Sequence, residues 1–404
     1  MTPRPLAVLA TCALAATGLD AQQAQPPIRA LDRVVATSTE SLGSVTAIRI
    51  QSNGAVLVND SFGHRLVLLD SQFHLVRTVL DASSGTAHSY GDDAGGLLAY
   101  RGDSSVFVDP TSSSMLVISP AGDAARVMAL PPNASGGDLT GTAATATGFD
   151  PDGRLVFRDR SSGPLHAYNP DDPDAPAPDN GLGLAPIVRV NLATRATDTL
   201  AYVVVVHPSS IITRSEAQGI SVRLIMNPMP TTDDWVLMSD GTVMIVRGRD
   251  FHLEHVWAPA RVDTFPRLPF EWQRLTMEKR QWIVDSARDY MARLMASVPT
   301  MSDARGRSHR PTIDFTPAGQ LPGYRPAFFP GTTRAAPDGR VWIRTSLDSP
   351  SGPVYDVVDT AGVLVDRVRL PRGRVLLAVA PHGVIYMAMR DLMGSVHLEK
   401  ALMK

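Results

Sequence analysis

Cysteine is almost absent from this chain of 404 residues, since Cys12 is the only one. A single thiol cannot form an intramolecular disulfide or assemble the multi-thiolate ligand set of a structural zinc site. Lysine is nearly as scarce, because Lys279, Lys400 and Lys404 are the only lysines among 38 basic residues. With 40 acidic residues the formal net charge is −2, so the sequence predicts no electrostatic surface for nucleic acid.

Long hydrophobic runs are also missing, apart from a short one near the N-terminus. Arg4 precedes an apolar run at residues 6–16, and small residues lead up to Ala21. This order is typical of a cleaved secretory signal peptide, and the run is shorter than the roughly 20 residues that span a membrane. We predict that residues 1–21 are removed, with Ala24 as the alternative cleavage position. The mature chain would then be periplasmic or extracellular, with no thiol and no transmembrane segment.

One unit recurs along the rest of the chain: an apolar stretch, a tight turn that contains glycine, and an alternating strand. Asn-Gly and Asp-Gly turns between apolar runs are strong hairpin signals, because both turn residues need a positive φ. Aligned on the glycine, whose place Ser104 takes in the degenerate second copy, the turns fall at positions 54, 104, 153, 241, 339 and 383, which gives separations of 50, 49, 88, 98 and 44 residues. Three separations match a four-stranded blade and two are about double, which predicts six blades with two large insertions.

The last repeat is one strand short. After Gly383 the chain offers strands only at 384–387 and Val396–Leu402, whereas the N-terminal region contains a spare strand, Arg33–Thr37. Pairing the two termini would close the ring and remove open sheet edges. The predicted fold is therefore all-β. It is a single six-bladed β-propeller over residues 22–404, with an N-terminal strand that closes the last blade and one inserted amphipathic helix.

Residues 48–80 contain an Asn-Gly turn, a strand that ends at Asn59 and Asp60, and a strand that begins at Arg65. This pattern resembles an NHL-type repeat. More broadly, nearly all of the mature chain resembles the six-bladed, TolB-like propellers of secreted bacterial proteins. The resemblance implies the fold but no single activity, because such propellers include binding scaffolds, lactonases, lyases and sensor domains.

Two segments interrupt the repeats. The first, about residues 169–186, is rich in proline and aspartate and predicts a surface loop, beyond which 199–206 and 220–225 are predicted as strands of the same blade. The second, about residues 270–325, has a helical pattern at 276–296. Its apolar face is predicted to contain Ile283, Ala287, Tyr290, Met291, Leu294 and Met295. This helix is interpreted as packing on the propeller rim, or alternatively as a lid over the axial channel or a partner-binding helix.

Candidate ligand-binding residues lie where propellers usually bind ligands, before each innermost strand and after each second strand. They are Asp234, Arg158, Arg247, Arg344, Arg334 and Arg374. An arginine-rich mouth suits a small anionic ligand such as a carboxylate or a phosphate. The structural alternative is that aspartates at these positions bond neighbouring backbone amides and that the arginines reflect composition.

Two functions stay open. The first is an exported, non-catalytic propeller that binds a small anionic ligand or a protein and needs no cofactor. The second is a divalent-metal-dependent hydrolase, lactonase or lyase. In that case Asp233 and Asp234, the only acidic pair at the start of a predicted innermost strand, are the candidate ligands for calcium or another divalent cation. No His-Glu-x-x-His, Gly-x-Ser-x-Gly or phosphate-binding glycine loop occurs in the sequence.

Overall fold

The computed structural model describes residues 25–403, with gaps at 83–88, 132–133, 135–137, 141–145, 160–166, 169–181, 207–208, 216–218, 297–300, 303–307, 310–311 and 348. The predicted signal peptide and both cleavage positions lie outside the described residues, so export stays a prediction. Among the described residues, no helix combines the length and the apolar composition that a membrane span requires.

Six sheets built on four antiparallel strands repeat along the chain, and we number them as blades 1–6. From the innermost strand outward, blade 1 contains Val45–Ile50, Val56–Asp60, Arg65–Leu69 and Leu75–Asp81. Blade 2 contains Gly96–Ala99, Ser105–Asp109, Ser114–Ile118 and Ala124–Ala129. Blade 3 contains Gly148–Phe149, Leu155–Arg158, Leu182–Val190 and Thr197–Val206. Blade 4 contains Asp234–Leu237, Val243–Arg247, His252–Ala258 and Arg261–Arg267. Blade 5 contains Arg334–Ala335, Val341–Arg344, Val354–Val358 and Leu364–Arg369. Blade 6 contains Arg374–Ala380, Val384–Arg390, Val396–Leu402 and Arg33–Thr37. The predicted six-bladed propeller is confirmed.

Hydrophobic clusters between neighbouring blades close these sheets into a ring. Between blades 6 and 1, for example, Tyr386 packs in one cluster with Val58 and Phe73. Comparable clusters join blades 1 and 2, 2 and 3, 3 and 4, 4 and 5, and 5 and 6. All five residues of Val56–Asp60 are buried, because the second strand of a blade is covered on both faces. A blade with two apolar faces is stable only when its neighbours cover it.

The turn between the first and second strands of each blade uses a glycine with positive φ. These glycines are Gly54 (+83°), Gly102 (+57°), Gly153 (+77°), Gly241 (+85°), Gly339 (+83°) and Gly383 (+71°). Glycine adopts this conformation without the Cβ clash that other residues meet. The recurring turn of the sequence is therefore the inner hairpin of each blade.

The two chain termini meet in blade 6, as predicted. Strand Arg33–Thr37 pairs antiparallel with Val396–Leu402 and supplies the outermost strand. A second N-terminal strand, Ile28–Ala30, was not predicted; it adds in parallel to the outer strand of blade 5. There Arg29 forms an ion pair with Asp366. The N-terminal segment therefore joins blades 5 and 6 across the closure of the ring.

Two predictions about the first insertion are wrong in part. The predicted loop at 169–186 extends too far, because its last residues belong to Leu182–Val190; residues 169–181 lie outside the described part. Residues 220–225 form a strand, but not in blade 3, whose outer edge is already occupied by Thr197–Val206. Instead Gly219–Met226 belongs to a separate sheet, together with Ala167–Tyr168, Ser209–Ser215 and Thr312–Phe315.

The predicted helix is present at Met277–Ala296, followed by a short hairpin of Met301–Ser302 with Ser308–His309 and a 3₁₀ turn at Ala318–Gln320. Thr276 accepts a hydrogen bond from the backbone N–H of Lys279 at 3.2 Å, which caps the first turn.

The predicted apolar face of the helix is wrong in part. Val284, which was not assigned to that face, is the buried residue, and it packs against Ala318 and Leu321. Tyr290 and Leu294 are 61% and 46% exposed. The described segment that covers the helix is short and contacts it around Val284, so the predicted stripe extends further than the packing does.

Candidate functional site

The second strand of every blade ends in a charged residue at the same mouth of the propeller. In chain order these residues are Asp60, Asp109, Arg158, Arg247, Arg344 and Arg390. Blades 1 and 2 carry aspartate there, whereas blades 3–6 carry arginine. Three of the predicted site residues, Arg158, Arg247 and Arg344, therefore occupy equivalent positions in the repeat, and their surroundings decide which of them are available to a ligand.

Asp60 shows what an aspartate does at this position. Its Oδ1 accepts hydrogen bonds from the backbone N–H groups of Gly43, Ser44 and Gly63, at 2.9–3.0 Å. Its Oδ2 accepts one from Nε of Arg65 at 3.0 Å. The carboxylate is 1% exposed and closes the turn that it begins. Asp60 therefore bonds neighbouring backbone amides, which is the structural role that the sequence offered as the alternative to ligand binding.

Asp233 has the same kind of structural role in blade 4. Its carboxylate accepts backbone N–H bonds from Val204 at 2.9 Å and from Gly248 at 3.0 Å. Arg247 donates to the same carboxylate at 2.7 Å and also pairs with Glu254 at 2.5 Å. Although burial lowers the pKa of Arg247, its hydrogen bonds to Glu254 and Asp233 raise that pKa overall. The guanidinium of Arg247 is thus committed to two carboxylates.

Asp234 links blade 4 to the segment that leads into blade 5. One oxygen accepts the backbone N–H of Trp235 at 3.0 Å. The other accepts the backbone N–H and the hydroxyl of Thr333, at 3.1 and 2.6 Å. This contact fixes the backbone immediately before Arg334, which begins the innermost strand of blade 5. Asp234 therefore positions a neighbouring site residue.

Arg334 is the most unusual of the predicted site residues. Its side chain donates Nε to the carbonyl of Leu377 at 3.1 Å and Nη1 to the carbonyls of Gly331 and Thr333, at 3.2 and 2.9 Å. Its Nη2 makes no hydrogen bond, and the guanidinium forms no ion pair, within the described part of the chain. Arg334 is only 9% exposed. Burial lowers its pKa, and the nearby Tyr355 and Asp234 partly oppose that effect.

Arg344 lies on the same face of blade 5 as Arg334. Arg334 pairs with Trp342, and Arg344, two residues further on, pairs with Tyr355. The guanidinium of Arg344 stacks on the ring of Phe329 at 4.9 Å, and its buried Nε has no hydrogen-bond partner. Burial raises the pKa of the Tyr355 hydroxyl, whereas the N–H of Leu376 and the charges of Arg334 and Arg344 lower it. The two arginines thus flank one buried hydroxyl.

A cavity of about 210 Å³ opens beside this cluster. Its lining includes Arg158, Asp233, Asp234, Pro330 and Gly331. Since the carbonyl of Gly331 accepts a hydrogen bond from Arg334, that side chain lies directly behind the cavity wall. Three of the seven predicted residues, Arg158, Asp233 and Asp234, thus line one cavity. Arg334 donates to a residue of its wall, and Arg247 donates to Asp233.

Arg374 differs from Arg334, although each is the first residue of an innermost strand. Arg374 donates Nε and Nη2 to the two carboxylate oxygens of Glu399, both at 3.0 Å. The Glu399 side chain is 4% exposed, so this bidentate pair neutralises a buried charge. Arg374, like Arg247, is held in a structural ion pair.

The metal prediction for Asp233 and Asp234 stays untested, but the contacts of the two carboxylates do not favour it. Their oxygens already accept hydrogen bonds from donors, and a cation would have to displace those donors. No cluster of three or more histidine, cysteine, aspartate or glutamate side chains suited to a metal occurs in the described part of the chain.

Sequence reasoning missed Thr333 and Tyr355. Thr333 connects Asp234 to the start of blade 5, and the Tyr355 hydroxyl is near enough to Arg334 and Arg344 that their charges oppose the rise of its pKa. A Thr-Thr-Arg sequence before an innermost strand, and a tyrosine in an alternating strand, are ordinary in a β-protein. The signal that could have been used is the register, because Tyr355 pairs with Arg344 in adjacent strands.

Known proteins resemble this chain in structure and not in sequence. No family profile and no curated protein sequence matches this chain. Among solved structures, it is similar to a gluconolactonase from Xanthomonas campestris, with 12% identity, a TM-score of 0.41, and coverage of 94% of this chain and 96% of that one. It is also similar to a member of the DUF4221 family from Bacteroides vulgatus, with 8% identity, a TM-score of 0.48, and coverage of 93% of this chain and 97% of that one. Virginiamycin B lyase from Staphylococcus aureus matches with 11% identity, a TM-score of 0.37, and coverage of 90% of this chain and 83% of that one.

Proposed function

We propose that this chain is an exported, non-catalytic propeller that binds a small anionic ligand at its mouth. Arg334 and Arg344 would be the charge partners of the ligand, and Arg158 and Asp234 would line the adjoining cavity. A carboxylate or a phosphate fits this chemistry, because the planar guanidinium donates to two oxygens of such groups at once.

The proposal depends chiefly on one observation, the buried charge of Arg334, which has no ion-pair partner among the residues that the structure describes. A buried cation without an anionic partner is costly, because carbonyl groups replace only part of its lost hydration. Arg374, at the equivalent position of the next blade, has Glu399 as its partner. A bound anion would pair with Arg334 in the way that Glu399 pairs with Arg374.

The test is a titration of the mature protein with inorganic phosphate, acetate and citrate by isothermal calorimetry. We expect saturable binding of at least one of these anions. The substitution Arg334→Gln should weaken anion binding about ten- to hundredfold, the range expected for a hydrogen bond to a charged group. Arg334→Lys keeps the charge but loses the paired N–H donors of the guanidinium, so its affinity for the anion should lie between those of the wild-type protein and Arg334→Gln.

Arg390→Gln is the matched control for Arg344→Gln. Arg390 occupies the same strand position in blade 6 but is exposed and donates to the carbonyl of Gly394. Anion binding should weaken in Arg344→Gln and stay unchanged in Arg390→Gln. Equal weakening in both, or no saturable anion binding by the wild-type protein, would contradict the proposal. Circular dichroism establishes first that each variant is folded.

The alternative, a divalent-metal-dependent hydrolase, lactonase or lyase, makes a different prediction. Its candidate ligands are Asp233 and Asp234, so the purified protein should contain stoichiometric calcium or another divalent cation. Elemental analysis after dialysis separates the two functions. Stoichiometric metal that is lost in Asp234→Asn would favour the enzyme, whereas metal-free protein that still binds anions supports the binding function.

A further inference from the structure

A second and larger cavity, of about 710 Å³, lies beneath the inserted helix Met277–Ala296. Its other walls come from the segment before blade 5 and from Ser346 after the second strand of that blade. The apolar side chains that line it are Pro228, Met229, Pro230, Leu275, Trp282, Ile283, Pro326, Phe328, Phe329 and Pro330. This volume and this lining are typical of sites that enclose a small organic molecule.

The charged residues around the cavity all have one sign. Arg274, Lys279 and Arg325 line it, and no aspartate or glutamate occurs among the described residues of its lining. An apolar enclosure whose charged groups are all basic is complementary to a molecule with an apolar body and a negative end.

Trp282 gives the cavity an aromatic wall that the free protein leaves largely uncovered. Its side chain is 62% exposed, and Nζ of Lys279 lies 5.6 Å from its ring centre. A tryptophan exposed to this degree adds little to folding, but its ring offers a flat apolar surface to a bound aromatic or aliphatic group. The adjacent ammonium would meet the anionic end of such a molecule.

We propose that this cavity binds an amphipathic organic anion, that is, an apolar or aromatic body with one carboxylate, sulfonate or phosphate group. The body lies against Trp282 and Phe329, and the charged end faces Lys279 and Arg274. This site is separate from the anion site at Arg334, and the inference does not depend on the proposed function.

The first experiment uses 1-anilinonaphthalene-8-sulfonate, an aromatic monoanion whose fluorescence rises in apolar sites. We expect one saturable site per folded chain. Trp282→Ala should weaken binding about tenfold, as expected when a ligand loses an aromatic partner. Tyr290→Ala is the matched control, because Tyr290 is 61% exposed on the same helix and does not line the cavity. Its affinity should equal that of the wild-type protein.

The second experiment tests the charge. Lys279→Gln should weaken binding of the sulfonate about threefold and leave the uncharged analogue N-phenyl-1-naphthylamine unaffected, because an exposed charge contributes modestly. Arg288→Gln, on the same helix and outside the cavity, should change neither affinity. Equal effects of Lys279→Gln on both probes would overturn the role of charge.

Two further results decide whether this cavity is the site. If Tyr290→Ala weakens sulfonate binding as much as Trp282→Ala, or if the folded protein shows no saturable site, the proposal is wrong. Arg334→Gln should retain sulfonate binding, and inorganic phosphate should not displace the probe. Retention in that variant shows an independent cavity, whether or not Arg334 binds an anion.

Discussion

Blades 1 and 5 share one architecture but treat buried charge in opposite ways. In blade 1, the carboxylate of Asp60 accepts four hydrogen bonds, three from backbone N–H groups and one from Arg65. In blade 5, Asp356 is equally buried, but it accepts one bond, from Arg367 at 3.1 Å, and its Oδ2 has no partner. Arg334, in the same blade, has no carboxylate partner within the described residues.

The contrast shows that blades with the same strand arrangement differ in how completely their buried charged groups are hydrogen-bonded. In blade 1, Asp60 closes the turn that it begins, so its donors lie nearby in the chain. Two of the six buried side-chain atoms that lack a hydrogen-bond partner among the described residues lie in blade 5, namely Nε of Arg344 and Oδ2 of Asp356, whereas blade 1 has one, Nε of Arg49. Buried polar groups without partners are rare in proteins and are concentrated at functional sites. The proposed anion site therefore lies beside a buried polar atom that lacks a partner among the described residues, Nε of Arg344.

The same substitution, aspartate to asparagine, should have unequal effects in the two blades. In Asp60→Asn, one oxygen is replaced by an amide donor that faces the donor Nε of Arg65. We expect the free energy of unfolding to fall by about 3 kcal/mol, the lower end of the range for breaking a buried ion pair. Urea denaturation at pH 7 measures this change.

The corresponding variant in blade 5, Asp356→Asn, keeps an oxygen for Arg367 and places its new donor where Oδ2 had no partner. At pH 7 it should lose less than about 1 kcal/mol, because the substitution also removes a buried charge. If Asp60→Asn is as mild as Asp356→Asn, the two blades do not differ in the way described.

The repeat made the fold predictable, whereas the site was predictable only as a set of positions. The glycine turns at 54, 153, 241 and 339 are local signals, because positive φ depends on the residue itself. Whether Arg334 is paired depends on which residues of a neighbouring blade come close. Arg374 has Glu399 from its own blade, and no local pattern distinguishes these two arginines. The sheet formed by Gly219–Met226 was missed for a similar reason, since its strands come from distant parts of the chain.

Blades 1 and 5 also differ in the segments that precede them, because only blade 5 follows the inserted helix. Replacing Met277–Ala296 with a short Gly/Ser linker should leave a cooperative β-rich protein, since the clusters between blades do not include the helix. We expect a loss of about 2–3 kcal/mol, the contribution of burying Val284 and part of Ile283. Far-UV circular dichroism and urea denaturation test this.

The outcome that would contradict the peripheral role of the helix is loss of the folded state. The single substitution Val284→Ala serves as a graded control, because it removes only the buried contact. It should account for roughly half of the loss, about 1–1.5 kcal/mol, if the helix is held chiefly by that side chain. A much larger effect of the linker would show that residues of the helix other than Val284 stabilise the ring.

A further expected effect is a dependence on pH that blade 5 should show because of Asp356. Burial raises the pKa of this carboxyl to about 6, and the charge and hydrogen bond of Arg367 lower it less than burial raises it. In the unfolded chain an aspartate titrates near about 4, so the folded state binds the proton more tightly. The stabilisation of the folded state by this proton is fully present below about pH 4 and is lost as the pH rises through about 6.

Relative to Asp356→Asn, the free energy of unfolding of the wild-type protein should therefore fall by roughly 2 kcal/mol over that interval. Arg367→Gln should raise the pKa further and move the loss to higher pH. Urea denaturation of the three proteins at several pH values between 4 and 8 provides the test, and parallel curves for wild type and Asp356→Asn would show that Asp356 ionises in blade 5 at no cost.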